Sequence, residues 1–448
     1  MNEQEKIIFE IAQKVKDLGG RAYYVGGCVR DKLMKTECLD KDIEIYGLGI
    51  EQVKDVLLSC TDSITDDQSF GVFHLPDYSI DVALPRTETL CGRTHKDFII
   101  EVFPDLDTAT ATVRRDFTIN AMLEDVLTGE LIDHYGGLED LENGVLRHID
   151  DVRFVEDPLR VLRAAQFSAR FQFRVDEKTI ALCKKMSLEA LTGERVLDEL
   201  KKALLNSEKP SIFFEVMREA ERLDEFFAEL KDLIGFQQNE KHHAEGDVWV
   251  HTMMVIDECA KRRKDVKNPL GFMLSAICHD MGKATCTEVV HGEIHSYNHE
   301  IEGLPIAETF ICRLTDDKKL KKYVLNMVEY HMKPNTLAAM GSAIKKTNKM
   351  FDQAVEPLDL IHLAVADSLG KVAPREYYET EPFLMERLAL FEEHMKKPYV
   401  TGDDLIAAGF EPGEQFAKML EYAHKLRLAG FEKETALKQT ISFGRKLK

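Results

Sequence analysis

Asp40 and Asp42, in the run Leu39-Asp40-Lys41-Asp42-Ile43-Glu44, are the side chains whose spacing first points to chemistry. In an extended chain, positions i and i+2 face the same way, so Asp40, Asp42 and Glu44 share one face. Paired carboxylates hold divalent metal ions, which activate a hydroxyl nucleophile and steady a leaving pyrophosphate. Upstream, Gly26-Gly27 stands between an apolar run and a short helix, where backbone N–H groups can come close to a phosphate. Arg30 and Asp31 follow on that helix. Further on, Arg114 and Arg115 are permanent cations suited to triphosphate oxygens, and Asp116 and Asn120 beside them can hydrogen-bond a ribose. Asp157 and Arg160 are three apart on a helix and so lie on one face, with Arg163 after them. A carboxylate acceptor beside a guanidinium donor can pair with the Watson–Crick edge of C or A. A plain i,i+3 salt bridge has the same spacing.

A second set of groups lies in the other half of the chain. His251 precedes an apolar helix, His279-Asp280 comes 28 residues later, and His299, His331 and Asp367 fall on separate predicted helices. Imidazoles and carboxylates brought together from several helices can hold Mn, Fe, Ni, Co or Mg, and a metal-bound water becomes a nucleophile. Four more histidines, His242, His243, His291 and His295, have no place in this pattern and read as surface residues.

The elements that must position these groups follow from periodicity. Ile7, Ile8, Ile11, Ala12, Val15 and Leu18 predict a helix over 5–18 that stops at Gly19-Gly20. Strands are predicted at 22–25, 42–46, 69–75 and 79–84, with helices over 28–34 and 50–60. After about residue 150, helical periodicity dominates. The polar run FQQNEKHHAEGD at 236–247 interrupts it, and the last ~70 residues are again helical. At 448 residues the chain has room for two to four domains. Lys plus Arg number 59 against 79 Asp plus Glu, a formal charge of −20, which excludes a generally basic nucleic-acid coat protein while leaving room for a local basic track. No apolar run reaches the length of a membrane span, and the N-terminus carries no secretory signal pattern. The nine cysteines include no C-x-x-C pair and read as reduced thiols of a cytoplasmic protein.

Taken in order, these residues resemble a known family. The run Gly26-Gly27-Cys28-Val29-Arg30-Asp31, followed by Asp40-Lys41-Asp42, is similar to the first motif of polymerase β-like nucleotidyltransferases. More narrowly, it resembles the class II branch that holds CCA-adding tRNA nucleotidyltransferases and bacterial poly(A) polymerases. The motif's spacing from Arg30 favours Asp40 and Asp42 over Asp42 and Glu44 as the catalytic pair. Arg114-Arg115-Asp116-Phe117-Thr118-Ile119-Asn120-Ala121 and Glu156-Asp157-Pro158-Leu159-Arg160 match two further motifs. In the family, the second of these makes the protein itself the template. Ser79 to Glu88 is similar to the strand that carries a third acid. Asp81 would take that place, with a solvent-facing edge-strand charge as the equal alternative. Residues 87–113 look like the family's mobile loop for nucleotide selection. The histidine set resembles the HD phosphohydrolase superfamily. His251, His279, Asp280 and Asp367 match its core ligands, and His299 and His331 match the extra ligands of two-metal members.

The resemblance implies an α+β protein with a mixed-sheet nucleotidyltransferase head at 1–142, a helical neck at 143–235, an HD domain at 236–375 and a helical tail at 376–448. It implies addition of C, C and A to the tRNA 3′ end from CTP and ATP, with Mg²⁺ at the head and a transition metal or Mg²⁺ at the HD site. A poly(A) polymerase and an enzyme adding only part of CCA belong to the same class. The acidic balance and the short basic end Arg445-Lys446-Leu447-Lys448 favour CCA addition. The alternative of another class is an HD phosphatase or cyclic phosphodiesterase acting on RNA ends. The oligomeric state stays open.

Overall fold

The computed structural model describes residues 2–447 apart from Glu37, Leu39, Asp40, 68–70, 91–97, 240–242 and 373–379; of 88–90 and 98–100 it describes the backbone alone. The chain divides into two compact units, Met1–Ala203 with Ile212–Glu225, and Leu204–Ser211 with Phe226–Lys448.

In the first unit, helix Glu3–Asp17 starts at a capping box: the Asn2 side chain accepts the Glu5 N–H, and the Glu5 side chain accepts the Asn2 N–H. The stripe Ile7, Ile8, Ile11, Ala12 and Val15 is buried as its spacing predicts. Each of its larger aliphatic side chains contributes roughly 1.5–3 kcal/mol by leaving water. Nine strands follow: β1 (Arg21–Val25), β2 (Lys41–Tyr46), β3 (Thr65–Asp67), β4 (Val72–Leu75), β5 (Ile80–Ala83), β6 (Arg86–Leu90), β7 (Phe98–Val102), β8 (Leu123–Asp125) and β9 (Leu131–Ile132). Seven of them form one sheet in the order β3-β4-β5-β2-β1-β8-β9. β2 pairs parallel with β5 and antiparallel with β1, so the sheet is mixed. Ile43 and Ile45 of β2 join Ile80 and Val82 of β5 and the first helix in one buried core.

The strand predicted at 69–75 begins at Val72 in the described chain. The segment expected to be a loop at 87–113 contains instead a separate hairpin, β6–β7, in register from Arg86↔Val102 to Leu90↔Phe98. Its alternating Thr, Ile and Val residues suit a paired strand better than an irregular loop. Residues 91–97, between the two strands in sequence, lie outside the described residues. After the sheet the unit is mainly helical, with helix Leu159–Phe171 burying Val161, Leu162, Ala164 and Ala165.

The second unit is almost wholly helical. Helices Val248–Arg262, Pro269–Cys278, His299–Leu314, Lys318–Tyr330 and Pro357–Leu369 surround an apolar core that contains Trp249, Phe272, Phe310 and Phe351. A short hairpin pairs Thr287–Val290 with Glu293–Ser296. No helix among the described residues is long and apolar enough to cross a membrane.

Candidate functional site

β1 passes into helix Gly27–Leu33 through Gly26, whose φ of 68° suits glycine. A Cβ on Gly26 would stand 2.7 Å from Arg115 Nη1, so the missing side chain is the space the arginine occupies. Around this turn lies a cavity of about 540 Å³. It is lined by all ten residues that the sequence assigned to nucleotide binding: Gly26, Gly27, Arg30, Arg114, Arg115, Asp116, Asn120, Asp157, Arg160 and Arg163. Asp42 of β2 lines it too.

The walls are tied together by charge-assisted hydrogen bonds. The Arg30 Nη1–H donates to Asn120 Oδ1 at 2.6 Å, and the Asn120 Nδ2–H donates to Asp116 Oδ1 at 2.9 Å. Arg163 donates from Nε to Asp116 Oδ2 at 2.6 Å. Asp116 is buried, which opposes its charge, yet the Arg163 guanidinium and the Asn120 amide hold its carboxyl below the usual range. Arg160 donates to the carbonyls of Arg153 and Arg114, each at 2.5 Å. That anchors the start of helix Leu159–Phe171, which carries Arg160, to the double-arginine segment; Asp157 was expected on the same helix but precedes it, because Pro158 is the N-cap. Asp157 accepts the Leu159 N–H at 3.0 Å. The Arg115 Nε is buried with no hydrogen-bond partner among the described residues, which suits a group waiting for an anion.

The acids divide by environment. Asp40 lies outside the described residues. Asp42 is in register with Asp81 across the parallel β2–β5 pair. The Asp81 side chain is 53% exposed and meets the ring of His74 at 2.7 Å. Glu44 is 1% exposed. Its carboxylate accepts the Tyr46 hydroxyl at 2.8 Å and an Arg114 N–H at 3.4 Å. Burial and this neighbouring carboxylate push the Tyr46 hydroxyl well up, so Tyr46 stays a donor.

In the second unit, His251, His279, Asp280, His299, His331 and Asp367 are all buried and come together. Two groups, His251/His279/Asp367 and Asp280/His299/His331, each place ligand atoms within 4.8 Å of one another. His251 Nε2 is 3.1 Å from Asp367 Oδ1, and His299 Nε2 is 3.2 Å from Asp280 Oδ1. The rings share one orientation. The Nδ1 atoms of His251, His279, His299 and His331 face the carbonyls of Gly370, Ala276, Ser296 and Val328 at 3.1, 2.8, 2.9 and 2.7 Å. A carbonyl can only accept, so each Nδ1 carries a proton, and Nε2 is the nitrogen left to face the carboxylates or a metal ion. The Nε2 atoms of His251 and His279 meet at 3.5 Å, and those of His299 and His331 at 3.2 Å. These converging nitrogens and carboxylates form a donor set that fits a divalent transition metal. Burial and the neighbouring histidines press His331 down to about 3, so its ring is neutral. Lys283 Nζ lies 2.7 Å from Asp280 Oδ2, and Lys371 Nζ 3.4 Å from Asp367 Oδ1. Both lysines line a cavity of about 390 Å³ over the cluster.

Residues 22–147 match the Poly A polymerase head domain, and residues 172–234 match the family described as the probable RNA and SrmB-binding site of polymerase A. A Multifunctional CCA protein of Actinobacillus pleuropneumoniae is 35% identical over 372 residues, 80% of this chain and 88% of its own length. One from Alkalilimnicola ehrlichii is 33% identical over 427 residues, 92% of this chain and 98% of its own. The chain belongs to the CCA-adding enzyme and poly(A) polymerase family. Solved members have the same fold. A Thermotoga maritima CCA-adding enzyme complexed with tRNA superposes with a TM-score of 0.65 at 20% identity, covering 98% of this chain and 94% of that one. A CCA-adding enzyme complexed with ATP does so at 0.67 and 20%, covering 98% and 93%.

Some lining residues of this family member were not visible as site residues in the sequence. Gln166, Phe167, Arg170 and Lys202 also line the head cavity. Phe167 stacks beneath two guanidiniums, with Arg30 and Arg163 at 5.2 and 5.0 Å from its ring centre. Arg163, Phe167 and Arg170 repeat at helical spacing, and that was the available signal. The surface reading of the extra histidines is corrected in part. His243 is half-buried, its ring 4.8 Å from that of His251, and burial lowers it to about 4. His295 lines the cavity over the histidine–aspartate cluster. His291 is exposed as expected, and His242 lies outside the described residues.

Proposed function

We propose that this chain adds C, C and A to the 3′ end of tRNA, using CTP and ATP, in the cavity of the head. The observation that carries this reading is the assembly of the ten expected nucleotide-binding residues with Asp42 around one space, with six arginines among its lining. Arg114 and Arg115 hold the triphosphate, the latter with a buried N–H still to satisfy. Asp116 and Asn120 keep Arg163 and Arg30 aimed into the cavity, and Asp157 with Arg160 reads the base. The near full-length relatives named for CCA favour this over poly(A) synthesis. The partners are the tRNA 3′ end, CTP and ATP, and the place of work is the cytoplasm.

The carboxylate set Asp40, Asp42 and, across the strand pair, Asp81 suits a hard cation such as Mg²⁺. When bound there, the ion lowers the pKa of the RNA 3′-hydroxyl and neutralises the triphosphate. Glu44, engaged by Tyr46 and Arg114, sets the strand's inner face and Arg114 rather than holding metal.

A second reading is favoured by the converging Nε2 atoms of the second unit. This is an HD-type site in which His251, His279, Asp280, His299, His331 and Asp367 hold divalent metal and hydrolyse phosphomonoesters or cyclic phosphates, among them those at RNA ends. Lys283 and Lys371 stand where a phosphate would enter.

The test is nucleotide incorporation on tRNA transcripts ending before CCA, after C and after CC, supplied with CTP, ATP or both. Addition that stops at CCA is expected. A ladder of A from ATP alone would make the protein a poly(A) polymerase, and A added only to the CC end would make it a partial enzyme. No incorporation, with phosphate released from RNA ends, would leave the HD site as the main activity.

A further inference from the structure

Glu245 lies in the non-helical run just before helix Val248–Arg262, and its side chain is 1% exposed. Burying a carboxylate is costly unless it is well bonded. Here Oε1 faces His243 Nδ1 at 2.8 Å and His251 Nδ1 at 3.1 Å, while Oε2 accepts the Val372 N–H at 3.1 Å. His251 therefore has two different sides. Its Nδ1 faces Glu245 and the Gly370 carbonyl, and its Nε2 faces Asp367 at 3.1 Å and Asp280 at 3.5 Å. His279 and His331 have backbone carbonyls behind them, and His299 has a carbonyl with Glu300 Oε2 further off at 3.8 Å, whereas His251 has a carboxylate oxygen as near as its carbonyl, at 3.1 Å.

The trio His243, Glu245 and His251 has ligand-type atoms within 4.8 Å and could itself be read as a metal site. The geometry argues against that. A metal at His251 Nδ1 would displace the proton that the Gly370 carbonyl requires, and it would force both nitrogens of one ring to bind metal. A carboxylate behind a ligating imidazole instead fixes its tautomer and makes the far nitrogen a stronger ligand. We propose that Glu245 is a positioning residue of the metal cluster: by sharing the Nδ1 proton of His251 with the Gly370 carbonyl it fixes the ring so that Nε2 is the nitrogen presented to the metal, and it strengthens that donor. His243 grips the same carboxylate oxygen and keeps it in place. Through the Val372 N–H, Glu245 also steadies the chain that leaves Asp367, so two ligands from different helices are held by one side chain. The inference rests on the metal reading of the second unit.

The test uses the full-length protein, stripped of metal and titrated with Co²⁺. Its d–d absorption under imidazole ligation distinguishes this cluster from an all-oxygen site. Glu245→Ala should weaken Co²⁺ binding by about 10–100-fold. Glu245→Gln, which keeps an acceptor without the charge, should fall between it and the wild type, and His243→Ala should cost less than Glu245→Ala. Melting temperatures of the metal-free proteins should stay together. Equal affinity in Glu245→Ala and wild type overturns the proposal. So does a Gln variant as weak as the Ala variant when both melt lower without metal, because Glu245 would then be a packing residue. Wild type that binds no Co²⁺ overturns the metal reading itself, and the proposal with it.

Discussion

Asp116 and Arg163 meet at the wall of the head cavity, with Nε and Nη2 of the arginine both 2.6 Å from one carboxylate oxygen. The other oxygen accepts the Asn120 amide and the Phe117 N–H at 2.9 and 2.8 Å. All four acceptor positions of Asp116 are thus in use, and it acts as a clamp on its neighbours rather than as a free ribose ligand. Asp116→Ala should destabilise the head by about 2 kcal/mol, less than the loss of a fully buried partner because the Arg163 side chain is 30% exposed. The carboxyl is lowered in the native protein, so its contribution is complete above the ordinary carboxylate value of about 4 and disappears as pH falls through the lower native value. Denaturant midpoints measured from pH 7 to pH 2.5 should show this acid-sensitive increment in the wild type and not in Asp116→Asn. Matching curves would mean that the clamp is not charged.

Asp42 lines the nucleotide cavity, and the histidine–aspartate cluster belongs to the other compact unit. Asp42→Ala should therefore lower nucleotide incorporation by at least a thousandfold, about 4 kcal/mol of barrier, and leave phosphate release by the second unit unchanged. Gel-resolved incorporation and a phosphate-release assay on the same preparation check both halves. Persistent incorporation would remove Asp42 from the metal-binding pair.

Glu44 shares the face of Asp42 but is engaged by Tyr46 and Arg114. A metal ligand replaced by its amide loses its function, whereas a hydrogen-bonding residue so replaced keeps most of its geometry. Glu44→Gln should reduce kcat/KM for CTP by roughly tenfold, ~1.4 kcal/mol, with the Mg²⁺ concentration for half-maximal rate unchanged. A shift of that midpoint upward would make Glu44 a ligand.

The residues of the head were legible because their chemistry is local. Gly26, Asp42, Arg114 and Asp157 each sit at a fixed offset from a turn, strand or helix start, and short-range geometry decides which way they face. Arg170 and Lys202 were not legible, because only the packing of helices Leu159–Phe171 and Gly193–Asn206 in the folded unit shows which of their exposed cations reach the cavity. The mixed sheet was expected, but the separate hairpin β6–β7 was read as a loop because residues 87–113 are rich in small and polar side chains. The candidate metal ligands were visible as residue types, yet the places of His243 and Glu245 beside them were missed. They lie in a polar, non-periodic run, and Glu245 bonds Val372, 127 residues on, while both pack against His251, so only the tertiary structure shows their place in the cluster.

The glycine after His279-Asp280-Met281 has a steric reason that can be tested apart from any chemistry. A Cβ on Gly282 would lie 2.1 Å from the His299 carbonyl oxygen and 2.7 Å from the Gly303 nitrogen, both backbone atoms at the start of the next helix. Backbone cannot swing aside as a side chain can, so Gly282→Ala must push helix His299–Leu314 away from the Asp280 turn. Overpacking of this kind costs roughly 1–3 kcal/mol, and the displaced element carries His299, whose Nε2 now lies 3.2 Å from Asp280 Oδ1. The variant should melt several degrees lower without metal, and added Mn²⁺ should restore less stability than it does in the wild type. In the wild type, metal at a hundredfold over its dissociation constant should add about 2.7 kcal/mol. Nucleotide incorporation in the head should continue at a temperature where the variant is folded. If Gly282→Ala melted and bound Mn²⁺ like the wild type, the close approach of these two backbones would be refuted. The glycine would then owe its place to something other than seating His299 against Asp280.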